Sequence, residues 1–525
     1  MRSVVRVRVT KTGAFGLGAL AVVVVATSIT AHADVGGDHP FHGQDIAWEP
    51  CLTPEELAAT ETVEGDPDWL RRLECGTVTV PMDHGDPDGR TLDLALVRHP
   101  AQGPADGRRG SLVFEFGGPG VSGVDTFLAG SLPLGREIRD SFDLVSFDPR
   151  GVGDSEGFSC PLLRVMDRPL SEADRIGAAE VEGDLLTDME KSAHALAAAC
   201  EKEAGADFLA TMGTVNVARD LDIMRDALGD ERLNYVGFSY GTYIGALYAE
   251  MYPENTRALV LDGAVQTERD VVSEAVEQTG GLQTSWEAFV AFCLDRAEPC
   301  PFTGTDSALR EMEGILDDID AEPLRVADRT LDRDRFLDLL RGALYTETLW
   351  YDTAGLLARL AEGERDDFVH DYLLGLLRRG GDETPGMEES AHLAVRCADH
   401  AAPTDVRDYQ EGAIRATRLS PLFGGDEVWR KLPCAYWPET EIAPIGVTAP
   451  MAPPILVVGT LGDPATPYTW AREMADWLAT ATLLTYEGGG HTAYAKCHPC
   501  VNEAVDAYLL RGELPEEGTV CPTGS

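Results

Sequence analysis

One short segment constrains the fold of this chain more than any other. It reads Leu233-Asn-Tyr-Val-Gly-Phe-Ser239-Tyr-Gly-Thr-Tyr-Ile-Gly-Ala-Leu: an apolar strand, a serine between two glycines, and a helix of small residues. So tight a reversal from strand to helix requires Gly237 and Gly241, because side chains at these positions would collide with the backbone. The turn lifts Ser239 above the end of a sheet, at the N-terminus of the following helix. The segment therefore predicts a nucleophile elbow with Ser239 as the nucleophile.

An ordinary glycine-rich turn is the alternative interpretation, since the chain contains 54 glycines. Two features of the context favour the elbow. A strand is predicted over 234–238, and the helix predicted from Thr242 to Met251 ends just before Pro253, as a helix should.

A serine nucleophile also needs a histidine base and an acid that orients it, in the chain order serine, acid, histidine. Asp463 follows the apolar run Pro454-Ile-Leu-Val-Val-Gly459, so it lies just beyond the carboxyl end of a predicted strand. Asp262, at the end of the strand predicted over 258–261, is the rival acid. We rank Asp463 first because its strand immediately precedes the histidine.

Eleven histidines compete for the role of base. His491 follows a strand predicted over 482–486 and the run Gly488-Gly489-Gly490, which lets the loop fold back over the sheet edge. The order Ser239, Asp463, His491 predicts a triad. In it, His491 takes the serine proton and Asp463 holds the imidazole tautomer.

A glycine-rich loop supplies the expected oxyanion hole. The strand predicted over 112–116 runs into Gly117-Gly-Pro-Gly120, which can offer the backbone N–H of Gly118. The second donor is the N–H of Tyr240, the residue after the nucleophile. A phosphate-binding loop is disfavoured, since the Lys-Ser/Thr ending of such loops is missing.

With these motifs the chain resembles the secreted tripeptidyl aminopeptidases of the α/β-hydrolase superfamily, which are relatives of prolyl aminopeptidases. The resemblance runs from about Cys51 to Cys521. It is carried by Cys75-Gly-Thr-Val-Thr-Val-Pro-Met-Asp83, Gly117-Gly-Pro-Gly120, Phe147-Asp-Pro-Arg-Gly-Val-Gly-Asp-Ser155, Asn216-Val-Ala-Arg-Asp-Leu-Asp222, Gly237-Phe-Ser-Tyr-Gly241, Gly459-Thr-Leu-Gly-Asp463-Pro-Ala-Thr-Pro467 and Gly490-His491-Thr-Ala-Tyr494. Phe116 departs from the histidine of prolyl aminopeptidases, and Val121 replaces a glycine frequent in the family.

The resemblance implies an α/β fold with an eight-stranded, mostly parallel sheet and an inserted, mainly helical cap. The long stretch between the sixth and seventh predicted strands is the expected cap, because an insertion of this size between core strands forms its own domain. We expect a signal peptide over 1–33, since basic residues precede the apolar run 14–29 and Ala31-His-Ala33. The hydrolase core is then expected over 34–264 and 450–525, and the cap over 265–449.

Eleven cysteines in an exported chain predict disulfides with one thiol left over. Sequence proximity and the resemblance imply five pairs and leave Cys497 free. The expected pairs are Cys51 with Cys75, Cys160 with Cys200, Cys293 with Cys300, Cys397 with Cys434, and Cys500 with Cys521. A zinc site at Cys497-His-Pro-Cys500 is disfavoured, because a second matched cysteine pair is missing nearby.

The formal net charge of −46 at pH 7 argues against binding to nucleic acid or anionic membranes. We therefore expect a secreted, extracellular protein without a membrane anchor after signal cleavage. The resemblance implies that it releases short peptides, most simply tripeptides, from free N-termini by an acyl-enzyme mechanism that needs no metal or organic cofactor. A secreted carboxylesterase, a prolyl-type aminopeptidase and a catalytically silent binding protein are the alternatives.

Overall fold

The computed structural model describes residues 40–60, 66–166, 170, 173, 179, 181–265, 268–296, 298–379, 386–440, 446–496 and 498–523. The expected signal peptide and Cys497 lie outside these residues.

Within the described ranges, ten strands form one sheet and two more form a separate antiparallel hairpin. The strands in chain order are β1 (Glu49–Pro50), β2 (Glu74–Pro81), β3 (Thr91–His99), β4 (Ser111–Glu115), β5 (Asp143–Phe147), β6 (Leu233–Phe238), β7 (Thr256–Asp262), β8 (Leu324–Val326), β9 (Arg329–Leu331), β10 (Ile455–Gly462), β11 (Ala481–Gly489) and β12 (Val520–Cys521).

The large sheet has the order β1-β2-β3-β5-β4-β6-β7-β10-β11-β12, and β8 pairs with β9. Every pair from β5 to β12 is parallel, whereas β1, β2 and β3 join by antiparallel pairing. The carboxyl ends of β4, β6, β7, β10 and β11 therefore meet at one edge, where such sheets carry their ligand sites.

The eight strands predicted from the sequence are all present, and the count of eight is low by two. The additional strands, β1 and β12, are two residues long and lie at opposite edges of the sheet. Strands this short leave no alternating pattern to detect. Disulfides lie beside both: Cys51 follows β1 and bonds to Cys75 in β2, and Cys521 of β12 bonds to Cys500.

Helices cover both faces of the sheet. Outside the expected cap they are α1 (Pro54–Thr60), α2 (Pro67–Leu70), α3 (Gly123–Ala129), α4 (Arg136–Ser141), α5 (Gly183–Ala204), α6 (Ala206–Leu209), α7 (Thr214–Ala227), α8 (Gly241–Met251), α17 (Tyr468–Trp477) and α18 (Pro499–Arg511). Between β7 and β10 lie α9 (Val271–Arg296), α10 (Thr305–Ala321), α11 (Arg333–Leu344), α12 (Trp350–Ala361), α13 (Asp367–Arg379), α14 (Met387–Asp399), α15 (Val406–Leu419) and α16 (Gly424–Trp429).

Alternation along the strands builds a core on each face of the sheet. In β4, Leu112 and Phe114 belong to one buried apolar cluster, and Val113 between them belongs to the other. Successive strand residues point to opposite faces, so both faces are filled and helices must cover each. A third cluster lies among α9 to α13 and includes Trp286, Phe289 and Trp350, so this helical stretch has apolar packing of its own.

A buried ion pair connects the antiparallel strands of the sheet to the segments that follow its parallel strands. The Arg150 guanidinium donates to both carboxylate oxygens of Asp220 at 2.7 Å and also to the Pro81 carbonyl. Both side chains are almost fully buried, so this ion pair lies in the interior of the protein. Separating Arg150 from Asp220 would leave a buried charge uncompensated. The pair therefore favours the arrangement in which β2, the loop after β5 and α7 meet.

No helix in the described part of the chain is both long enough and apolar enough to cross a bilayer.

Candidate active site

The turn between β6 and α8 has the strained geometry that its sequence predicts. Ser239 has a φ of 53°, in the left-handed region that non-glycine residues rarely adopt. A Cβ at Gly237 would lie 2.3 Å from the Gly241 carbonyl oxygen, and one at Gly241 would lie 2.3 Å from Glu115 Oε2. Both glycines are therefore required by close backbone approach.

Hydrogen bonds on both sides hold the strained serine backbone in place. The Ser239 N–H donates to the Asp262 carbonyl at 2.8 Å. Its own carbonyl accepts from the Thr242 N–H at 2.9 Å and from the Thr242 hydroxyl at 2.6 Å. The Thr242 hydroxyl in turn accepts from the Val265 N–H, which links the turn to the chain after β7.

The structure brings Asp463 and His491 together at the ends of β10 and β11. His491 Nδ1 lies 2.9 Å from each carboxylate oxygen of Asp463. Asp463 follows directly after β10, and Gly490 and His491 follow directly after β11. The parallel register of these two strands is what places residues 28 apart in sequence within hydrogen-bond distance.

The Asp463 carboxylate is fully buried and accepts several further hydrogen bonds. The N–H groups of Ala465 and Thr466 each donate to it at 2.8 Å, and the Thr466 hydroxyl donates at 3.0 Å. Burial by itself would raise the pKa of Asp463, but His491 and these donors hold the pKa below its ordinary value. Asp463 is therefore an anion that fixes one ring nitrogen of His491.

The rival acid, Asp262, has a different set of partners. One of its oxygens accepts the N–H groups of Ala493 and Tyr494, at 2.9 and 2.7 Å, and its other oxygen has no hydrogen-bond partner. Complete burial raises the pKa of Asp262 to about 6. Asp262 thus holds the backbone of the loop after His491, and no hydrogen bond joins it to the imidazole among the described residues.

The glycine loop after β4 lies directly against the nucleophile turn. A Cβ at Gly117 would be 2.8 Å from both the Ser239 Cβ and the Tyr240 nitrogen. The Gly117 N–H donates to Glu115 at 3.0 Å, so it is already occupied. The N–H groups of Gly118 and Tyr240 donate to no acceptor among the described residues.

The side chain of Tyr240 is fixed by a hydrogen bond to α14. Its hydroxyl donates to Asp399 of α14, and the same carboxylate accepts the N–H of Thr214 at 2.7 Å. Tyr240 and Asp399 are both buried. Tyr240, the residue after Ser239, is therefore held by a hydrogen-bond network that includes a helix about 160 positions further along the chain.

Ser239, Gly118, Tyr240 and His491 all line one cavity of about 920 Å³. Residues of the expected cap form much of the wall. Tyr345, which follows α11, is one of the aromatic residues that line this cavity. Trp286, Trp350 and Trp429 are buried in the apolar clusters, and Trp437 packs against one of them.

Tyr345 and Glu347, which lie between α11 and α12, contact the loop that carries His491. The Tyr345 carbonyl accepts the His491 N–H at 2.9 Å, and the two rings meet edge to face with centroids 5.3 Å apart. Glu347 accepts the Gly489 N–H at 2.8 Å. Sequence reasoning did not anticipate these contacts, because backbone-mediated contacts leave no residue-type signal.

A group of charged side chains on one side of the cavity was also not predicted. We call it the charged wall; its members are Glu274, Arg341, Arg396, Glu427, Arg430 and Lys431. Part of a signal was present, since Arg396 and Asp399 interrupt the apolar run Leu393-Ala-Val-Arg-Cys-Ala-Asp399. Charged residues on the buried face of a helix are rarely placed there without partners.

Glu115 is buried beneath the glycine loop and does not line the cavity, so it cannot contact a bound substrate there. Its burial raises its pKa to about 8. Phe116 does line the cavity and stacks on Phe238, with ring centroids 5.9 Å apart.

All five cysteine pairs implied by the resemblance are disulfide bonds in the structure: Cys51–Cys75, Cys160–Cys200, Cys293–Cys300, Cys397–Cys434 and Cys500–Cys521. Cys397–Cys434 joins α14 to the turn after α16, so it connects the two segments that supply Arg396 and Lys431.

The fold and this site together define a serine hydrolase of the α/β-hydrolase class. Residues 110–298 match the family described as "alpha/beta hydrolase fold", and residues 420–521 match the family described as "TAP-like protein". The chain belongs to the tripeptidyl aminopeptidase-like family within that superfamily.

Curated relatives align along nearly the whole chain. "Serine protease Hip1" of Mycobacterium tuberculosis (strain ATCC 25618 / H37Rv) is 32% identical over 96% of each chain. "Tripeptidyl aminopeptidase" of Streptomyces lividans is 28% identical over 99% of this chain and 98% of its own. "Carboxylesterase B" of M. tuberculosis (strain ATCC 25618 / H37Rv) is 35% identical over 92% of this chain and 91% of its own. Relatives of similar identity therefore carry both peptidase and esterase names.

Proposed function

We propose that this protein is a secreted serine exopeptidase that releases short peptides, most simply tripeptides, from free N-termini. Ser239 is the nucleophile, His491 the general base and Asp463 the orienting acid. The N–H groups of Gly118 and Tyr240 form the oxyanion hole. Helices between residues 265 and 449 form a cap that selects the substrate.

In the proposed mechanism, Ser239 Oγ attacks the scissile carbonyl while His491 Nε2 takes its proton. Asp463 holds the proton of His491 on Nδ1 and stabilises the imidazolium that forms. The free N–H groups of Gly118 and Tyr240 donate to the oxyanion, a contribution of about 3 kcal/mol for each donor. His491 then protonates the leaving amine, and water repeats the sequence to release the acyl peptide.

One observation carries the choice of an aminopeptidase over an esterase. Glu274, in the charged wall, accepts from Arg396 with one carboxylate oxygen, while its other oxygen is buried without a hydrogen-bond partner. A buried acceptor without a partner costs about 1–3 kcal/mol. The ammonium of a free N-terminus would supply the missing donor, whereas a simple acyl ester has none to offer.

The ionisation state of Glu274 supports this role. Burial would raise its pKa, but Arg396, His400 and Lys431 together outweigh burial and lower it. Glu274 is therefore a carboxylate at neutral pH. An acetylated N-terminus has no charge to place against it.

Export of the protein rests on the predicted signal peptide together with the disulfides. Disulfides persist in oxidising compartments and are rare in the cytosol, so five of them favour an extracellular location.

The test compares kcat/KM for a free-amino tripeptide anilide with that for its acetylated form, with mono- and dipeptide anilides and a simple acyl ester alongside. We expect acetylation to lower kcat/KM at least tenfold, which corresponds to about 1.4 kcal/mol. Equal rates for both forms would refute the aminopeptidase assignment and favour an esterase or endopeptidase. A free-amine requirement with best activity on the one-residue anilide would indicate a prolyl-type aminopeptidase.

Glu274→Gln tests the residue itself, and Glu277→Gln is its matched control. Glu277 lies one turn further along α9 and pairs with Arg269 at 2.8 Å, and it does not line the cavity. Glu274→Gln should remove most of the preference for the free amine, and Glu277→Gln should retain it. Labelling of Ser239 by a fluorophosphonate reports whether each variant is folded.

A further inference from the structure

Lys431 differs from every other cation of the charged wall. The residue is only 8% exposed and lines the cavity. Its ammonium has neither a hydrogen-bond acceptor nor an ion-pair partner among the described residues. A lysine whose side chain is mostly buried is normally paired with an acid, whereas Lys431 directs its charge only to the cavity that it lines.

The arginines of the wall are already neutralised. Arg396 pairs with Glu274. Arg341 lies 3.3 Å from both Asp426 and Glu427, and Arg430 lies 3.2 Å from Asp426. Each arginine of the wall therefore has an acidic partner, and Lys431 is the one wall cation without an ion pair within the described chain.

Backbone hydrogen bonds on both sides of Lys431 fix its position in the chain. Its N–H donates to the Val428 carbonyl, and its carbonyl accepts the Cys434 N–H, both at 3.0 Å. The Cys397–Cys434 disulfide then fastens this turn to α14. The backbone on both sides of Lys431 is thereby fixed beside the cavity that this residue lines.

The wall also lies close to the nucleophile. The Arg396 guanidinium lies over the Tyr240 ring, 5.8 Å from its centroid, and Tyr240 directly follows Ser239. Burial lowers the pKa of Lys431 and repulsion from Arg396 lowers it further, while attraction to Glu427 and Glu274 partly opposes them.

We propose that Lys431 forms a carboxylate-binding subsite that makes this enzyme prefer peptides bearing an acidic group. The inference rests on the proposed peptidase function and adds a substrate preference to it. A carboxylate supplies the acceptors that the Lys431 ammonium lacks. The carboxylate can come from an Asp or Glu side chain or from the C-terminus of a short peptide.

The experiment measures kcat/KM for three pairs of free-amino tripeptide anilides, each pair with Glu or Gln at one of the three positions. Glu and Gln are nearly isosteric, so the ratio isolates the charge. A free tetrapeptide and its C-terminal amide form a fourth pair. We expect one pair to favour the carboxylate about tenfold or more, and the pair that does so identifies the source of the carboxylate.

Lys431→Met keeps the aliphatic length and removes the charge, so the ratio in that pair should fall to about one. Lys431→Arg should retain a preference for the carboxylate. Lys191→Met is the matched control, because Lys191 is an exposed lysine on α5 and does not line the cavity. The Lys191→Met variant should have the same Glu-to-Gln ratio of kcat/KM as the wild type.

A second measurement separates failure of this proposal from failure of the peptidase assignment. Tripeptide amides with Glu or Gln at each position are tested for protection of Ser239 from fluorophosphonate labelling, which requires no peptide cleavage. Stronger protection by a Glu peptide in the wild type, lost in Lys431→Met, supports the subsite even if no anilide is hydrolysed. Equal protection and equal kcat/KM for every pair would overturn it.

Discussion

The sharpest test of the catalytic assignment replaces each of two buried aspartates by asparagine. Asp463 and Asp262 both end core strands at the same edge of the sheet, and both are almost completely buried. They differ in what they bond: Asp463 bonds the imidazole of His491, whereas Asp262 bonds only backbone N–H groups of the following loop.

Asp463→Asn should lower kcat by about four orders of magnitude. Every neighbour of this carboxylate is a donor: the His491 ring, the N–H groups of Ala465 and Thr466, and the Thr466 hydroxyl. An asparagine NH₂ therefore has to turn toward the hydroxyl and His491. His491 Nδ1 then becomes an acceptor, its proton moves to Nε2, and the imidazole loses the lone pair that takes the serine proton.

Asp262→Asn should change kcat by less than about tenfold, because it leaves the tautomer of His491 intact. The two loop N–H groups converge on one oxygen of Asp262, and the other oxygen has no partner. An asparagine can therefore present its carbonyl to both N–H groups and place its NH₂ at the unpartnered position.

The same substitution has a predictable effect on stability. The pKa of Asp262 is raised to about 6 from an ordinary value of 3.8, so at pH 7 the ionised group costs about 3 kcal/mol of folding free energy. Because the folded pKa is the higher one, this cost is absent below pH 4, grows between pH 4 and 6, and is constant above. Asp262→Asn should thus raise stability at pH 7 by as much as about 2 kcal/mol, after about 1 kcal/mol is subtracted for weaker neutral hydrogen bonds.

The assay is kcat for a free-amino tripeptide anilide, with fluorophosphonate labelling and urea unfolding at pH 4 and pH 7 for both variants. A severe loss of turnover in Asp262→Asn together with a mild loss in Asp463→Asn would refute the assignment of the acid. The wild type is measured alongside. If its pH–stability curve runs parallel to that of Asp262→Asn, the buried carboxylate does not destabilise the fold when it ionises, and the prediction is wrong.

Two further predictions concern the cysteines. Peptide mapping without reduction should give the five disulfides of the structure and a free thiol at Cys497, and any bridge from Cys497 would contradict this pairing. Replacing Cys397 and Cys434 by serine should lower the free energy of unfolding by about 4 kcal/mol, against about 2 kcal/mol for Cys293 and Cys300, because the closed loops span 37 and 7 residues. If urea unfolding gives the same loss of unfolding free energy for both variants, the length of the closed loop does not determine how much each disulfide stabilises the fold.

The sequence by itself determined the parts of this protein whose geometry is local. The elbow at Ser239 could be recognised because its φ of 53° and its flanking glycines are needed within five consecutive residues. The eight long strands could be predicted for the same reason, since their alternation and apolar runs lie within each segment. The edge strands β1 and β12 could not, because two residues contain no period.

The tertiary structure alone decided which distant side chains share one cavity. Asp262 and Asp463 both satisfy the pattern of an acid at a strand end, and only the packing of the loops after β7, β10 and β11 puts one of them against the His491 ring. Glu274 and Arg396 form a buried pair across 122 positions, and Lys431 faces the same cavity from a third segment. Contacts of this kind depend on how the helices between β7 and β10 pack together, and a charged residue in a helix gives no sign in the sequence of whether its partner is present.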